Sequence, residues 1–182
     1  MAFKVKFDPN SINSAEKKIK DGFKKVIESK QMLNEVGTLI VKDIQFQTRR
    51  GYSIPQDRKF KPLTQKWINK RSRIAQADSV HETFKSNRSN LTLTGQLLDS
   101  LKHRILGAGK LLLEFTGVHR PYKIRTRKGI GKIGKQIPNE ELAKYVSQVR
   151  PFVGVRDKIK IRIKNVVVAY IRRSAKVLNF FE

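Results

Sequence analysis

Cysteine is absent from the 182 residues, which excludes a disulfide framework, a thiolate metal site and a cysteine nucleophile. Long apolar runs are missing too. The longest, Leu111 to Leu113 and Val166 to Ile171, fall far short of the roughly 20 residues a helix needs to cross a bilayer. At the N-terminus Phe3, Val5 and Phe7 alternate with Lys4 and Lys6, at the period of a strand. The unbroken apolar stretch of a signal peptide is not there, so synthesis in a cytoplasm and no membrane association are expected. Acidic residues are scarce: 15 Asp plus Glu stand against 40 Lys plus Arg, a formal net charge of +25. A subunit so charged repels its own copies and attracts polyanions, which makes an acidic protein or nucleic acid the expected neighbour.

What is present supports one domain over residues 1–182, because apolar residues at 38% and this length suffice for one modest core. Asp8, Pro9 and Asn10 form a turn signal, and Asn13 with Glu16 has the form of a capping box. Beyond it Ile19, Phe23, Val26, Ile27, Leu33, Val36, Ile40, Val41 and Ile44 make an apolar stripe. One long amphipathic helix is predicted, ending near Gly51, with Arg49 and Arg50 complementing its dipole.

From Tyr52 to Asn90 the chain reads as a polar, broken excursion with one short helix between Thr64 and Ile74. Trp67 in that helix is expected to anchor the segment on the core or on a neighbouring subunit. Thr94 is predicted to cap a short helix running through Leu97, Leu98 and Leu101. The pair 103–106 and 111–115, separated by Gly107, Ala108 and Gly109, reads as a β-hairpin.

Between Val118 and Asn139 no acid occurs, but Arg120, Lys123, Arg125, Arg127, Lys128, Lys132 and Lys135 do. This is predicted to be a flexible basic loop over about 118–138, contacting either nucleic acid or an acidic partner. Asn139, Glu140 and Glu141 open a short helix, Phe152 to Val155 reads as a strand, and a C-terminal helix follows Asp157. Ile159, Ile161 and Ile163 also alternate like a strand, and both readings stand. The composite is α+β: a long N-terminal helix and a C-terminal helix on a small, mainly antiparallel sheet, with long basic loops.

Signs of catalysis or cofactor binding are weak. Gly129, Gly131 and Gly134 with Lys135 mimic a nucleotide-binding loop, but Gln136 stands where a magnesium-holding hydroxyl belongs, and Pro138 obstructs the required helix. His81, His103 and His119 lack metal-ligand spacing. Glu28, Glu35 and Asp43 lie among lysines on the long helix, where solvated ion pairs are the default. No cofactor, no metal and no enzymatic activity are expected.

Three separated segments resemble the virion morphogenesis and tail-completion family of tailed bacteriophages. Phe60, Pro62, Leu63 and Thr64, with Lys70 and Arg71 downstream, resemble its aromatic-x-Pro-Leu-Ser/Thr segment. Leu91, Thr94, Gly95, Leu97 and Ser100 are similar to its Leu-x-x-Thr-Gly-x-Leu-x-x-Ser signature. Arg150, Pro151, Phe152 and Gly154 resemble its Arg-Pro-Phe-x-Gly motif ahead of a C-terminal helix. After the hairpin the order Gly117, His119, Pro121, Tyr122 departs from the family pattern, and residues 77–88 look inserted.

The resemblance implies a structural protein of the neck, completing the tail or joining it to the head in the virion. It also implies a homo-oligomeric ring around the DNA channel, of six or twelve copies, between a portal-side adaptor and tail-tube or terminator proteins. Non-specific contact with the genomic DNA follows from the charge. Leu178, Phe180 and Phe181, together with Trp67, are the candidate subunit contacts, although the three C-terminal residues serve equally well in their own subunit's core. The rival reading is a basic DNA-binding protein with no virion role.

Overall fold

A computed structural model describes residues 9–75, 95–107 and 109–177. The expected N-terminal strand, Thr94 and the C-terminal Leu178, Phe180 and Phe181 lie outside them. Helix α1 spans Pro9–Ile27 and α2 spans Lys30–Arg49. The single long helix of the sequence reading is thus two. Ser29 is extended and its Oγ accepts from the Met32 amide at 3.3 Å, so it caps a new helix. The Asn13–Glu16 pair lies inside α1, not at its head: Pro9 already has the φ of a first turn and lacks the N–H that would go unbonded there. At the other end the expectation holds. Gly51, at φ +77°, takes the left-handed conformation that stops α2.

Tyr52–Ser53 (β1) and Arg58–Lys59 (β2) pair as a short hairpin, and Gln65–Ala75 forms α3. As far as residue 75 the supposed excursion thus holds a short hairpin and the expected helix, with residues 60–64 between them outside regular structure. Gln96–Asp99 is a single turn, α4, followed by the antiparallel hairpin of Leu101–Gly107 (β3) and Lys110–Phe115 (β4). Leu101, expected in the helix, begins β3.

Four strands fill the segment expected to be a basic loop. Val118–His119 (β5) pairs with Ile137–Pro138 (β8), and Tyr122–Thr126 (β6) pairs with Gly129–Ile133 (β7), both antiparallel. Asn139–Val149 forms α5 and Asp157–Val177 forms α6, which resolves the isoleucine alternation in favour of helix. Residues 151–156 connect the two without ladder pairing, so the predicted strand at Phe152 is a linker outside any sheet. The fold is α+β, built of helices and two-stranded antiparallel sheets.

Two apolar clusters organise it. In the larger one Ile44 of α2 meets Ile54, Phe60, Leu97, Leu98, Leu101, Ala143 and Phe152. In the smaller, Val26, Met32 and Leu33 receive Ile105 and, from α6, Val166, Val167, Tyr170 and Ile171. The start of α6 is tied near the far end of α2, where Arg156 donates to both carboxylate oxygens of Asp43. Helix α6 therefore runs antiparallel along α2. Asp43 keeps only 8% of its side chain in solvent, so this pair is a semi-buried strut instead of the solvated pair expected from sequence.

Candidate functional site

The segments that carry the family resemblance are far apart in sequence and meet in the larger cluster. Phe60 follows β2, its amide donating to Gly51 O at 2.8 Å, and buries its ring. Gly95, at φ +81°, holds the N-cap position of α4, a left-handed geometry that only glycine adopts cheaply. Its carbonyl accepts from Asp99 at 2.9 Å, and the turn places Leu97 and Leu98 in the core. Pro151 O accepts the Ser53 hydroxyl at 2.5 Å, which fixes the linker to β1. Phe152 is then fully buried and meets Phe115 edge-on, with ring centres 5.8 Å apart. Gly154 lies where an added Cβ would stand 3.1 Å from Ile54 and 3.3 Å from Pro55. Pro62 is exposed, and Leu63 and Arg150 are partly buried.

The basic residues fall into three groups. Register pairs Lys123 with Lys132, Ile124 with Gly131 and Arg125 with Ile130. Alternation puts Ile124, which is buried, on the face toward α3, and Lys123, Arg125 and Lys132, all exposed, on the other. Arg127 and Lys128 occupy the tip, where Thr126 Oγ1 donates to Gly129 O at 2.8 Å and accepts from the Lys128 amide at 3.3 Å. Arg120 and Lys135 flank the base, and the Arg120 amide is held by Gln96 Oε1 at 3.0 Å. Gly129 and Gly131 therefore sit on a strand, away from any helix N-terminus, which removes the geometry a nucleotide-binding loop requires.

Sequence reading missed the second basic element beside the hairpin. Helix α3 packs on β6 with Ile74 buried, and Arg73 Nε donates to Arg125 O at 3.2 Å. From Arg58 to Ala77 the chain has no acid, so two acid-free segments lie together. That pairing of segments is a tertiary fact, but the second gap in the acids was readable.

Trp67 does not pack into its own subunit's core. It is 49% exposed, and the Lys70 ammonium stands 4.8 Å from its ring centre, a cation–π contact. Of the two roles expected for it, the contact with a neighbour stays open.

Around the base of the hairpin the polar links are closely made. Asn139 does not cap α5 with its side chain; buried, it donates from Nδ2 to Thr116 O at 2.7 Å, while its amide donates to Gly117 O at 3.0 Å. His119 beside it is buried, and burial holds its imidazole below the ordinary value of 6.5. Among the described residues no group of three or more His, Cys, Asp or Glu is placed to hold a metal, and no helix is long and apolar enough to cross a membrane. Comparison with protein-family models, with curated proteins and with solved structures found no match.

Proposed function

We propose that the chain is a structural virion protein of a tailed bacteriophage, a neck or tail-completion component that assembles as a ring at the junction of head and tail. The observation that carries the reading is the convergence of the resembling segments. Phe60, Leu97 and Phe152, each from a different segment, share one cluster with Ile44 of α2. Residues that serve one packing problem form a single structural signature, and their roles are those of core, cap and linker.

In the ring, subunits bearing +25 charges need an acidic platform or the enclosed DNA before they associate. The half-exposed Trp67 is the described residue best suited to a neighbouring subunit, because a large aromatic surface gains most from burial at an interface. Leu178, Phe180 and Phe181 are its proposed companions. A phage carrying a stop codon in this reading frame should yield filled heads and separate tails in electron micrographs, and supplying the chain in trans should restore joined particles. Normal joined particles without it overturn the proposal. The second reading, a DNA-binding protein with no virion role, rests on the basic hairpin; it predicts normal particles together with altered DNA metabolism.

A further inference from the structure

We infer that the β6–β7 hairpin is a binding ribbon for the phosphate backbone of double-stranded DNA, without sequence preference. This stands on the geometry of the hairpin and not on a virion role. Lys123 and Lys132 are direct cross-strand partners. Like charges in that position oppose pairing, since their Cβ atoms lie only about 5 Å apart. A hairpin face serving only its own stability would carry opposite charges or an aromatic pair there. Arg125 extends the same face, and Arg127 with Lys128 continues it around the tip.

The hairpin is also built to reach. Every residue from Arg125 to Ile130 is exposed, Ile130 by 68%, so the distal half stands out from the body. At its base Ile124 is buried and Arg73 donates to Arg125 O at 3.2 Å, which anchors the hairpin on α3. Gly129, at the tip, carries no side chain, and nothing lies within 4 Å of where its Cβ would stand. The turn is therefore open on that side. Two strands about 4.8 Å apart make a narrow rod, and a two-stranded ribbon is one of the two elements that the roughly 12 Å major groove admits. Lysine and arginine on its outer face then meet the phosphates lining that groove, and no docked polar side chain for base reading is needed.

Duplex DNA is favoured over an acidic protein because the charges are of one sign along a regular, projecting element. Acidic protein surfaces bury apolar side chains at the centre of their contacts, and the outer face offers Ile130 as its single large apolar group.

The test is fluorescence anisotropy of a mixed-sequence 20-base-pair duplex titrated with the full chain at several salt concentrations. The comparison is with Lys123→Gln/Arg125→Gln/Lys132→Gln and with Lys158→Gln/Arg162→Gln/Lys164→Gln, which removes the same charge from the exposed side of α6. The hairpin variant should bind at least about tenfold more weakly at 0.1 M salt. Its slope of log affinity against log salt should be shallower by roughly 2 to 3, at about 0.9 per lost phosphate contact. The α6 variant should keep most of the slope. Because the hairpin side chains concerned are exposed, circular dichroism should be unchanged, and if it is not, the single Lys132→Gln change should shallow the slope by about 1. Equal loss in the two triple variants would show that net charge alone binds DNA and would overturn the inference. Tighter hairpin-dependent binding of polyglutamate or of single-stranded DNA than of the duplex would overturn it as well.

Discussion

Replacing Gly37 by alanine should destabilise the chain, although the substitution normally does the opposite in a helix. Gly37 is buried in the middle of α2, where alanine is worth about 1 kcal/mol more than glycine in helix propensity. Here, however, an added Cβ would stand 2.5 Å from His103 Cγ and 2.8 Å from Leu111 Cδ1, and closer still to His103 Cδ2. His103 and Leu111 come from β3 and β4, so the close approach is the seam by which the hairpin lies on the helix. The imidazole is not free to swing aside, because its Nε2 is bonded to Asn34 Oδ1 at 2.7 Å, one turn back on α2. If the hairpin lifts off, overpacking costs about 1–3 kcal/mol. If the ring swings out instead, a hydrogen bond of about 0.5–1.5 kcal/mol is lost and the packing around it with it. After the gain in propensity a net loss of up to about 2 kcal/mol remains. Urea unfolding followed by far-ultraviolet circular dichroism should show a lower midpoint at unchanged slope. In a His103→Ala background, where the main obstacle is gone, the same change should be neutral or stabilising. A Gly37→Ala chain more stable than the parent would refute the reasoning outright.

Three further outcomes follow from the same structure. Asp43→Asn should cost about 1.5–3 kcal/mol, the range for hydrogen bonds to a charged group, since Arg156 keeps a quarter of its side chain in solvent and the full penalty of a stranded buried charge does not apply; a change under 0.5 kcal/mol in urea unfolding would show the strut to be idle. Burial holds folded His119 below 6.5, so the unfolded chain takes up its proton first. Stability is then complete above 6.5 and declines as pH falls through 6.5 toward the folded value, and His119→Gln should flatten that part of the profile; an identical profile in the variant would assign the decline to other groups. Trp67 fluorescence should be that of a partly hydrated indole in the isolated chain and shift to the blue on assembly with neck neighbours, whereas an emission unmoved by assembly removes Trp67 from the interface.

Much of the helical framework was legible in the sequence, because its signals are local. Gly51 marks the stop of α2, Thr64 to Ile74 gives α3 to within a residue, and the glycines at 107 and 109 turn the β3–β4 hairpin. The break at Ser29 was written there too. From Ile27 to Leu33 the apolar stripe skips a helical repeat, and a serine stands in the gap.

The basic segment was misread because its lysines and arginines mask an ordinary strand alternation through Tyr122, Ile124 and Thr126. What stabilises it is burial of Ile124 beside α3, a contact between residues some fifty positions apart, as the bond from Arg73 to Arg125 illustrates. Asp43 was read as solvated for the same reason, since Arg156 is 113 residues away. The site is thus half local and half tertiary: the charges were visible, but the face they share was not.

Quantitative mass spectrometry of purified virions tests the proposed role in the particle. This chain should be present in the particles at a fixed low number, six or twelve copies each. Particles that lack it, from cells in which the chain is abundant, would contradict the claim.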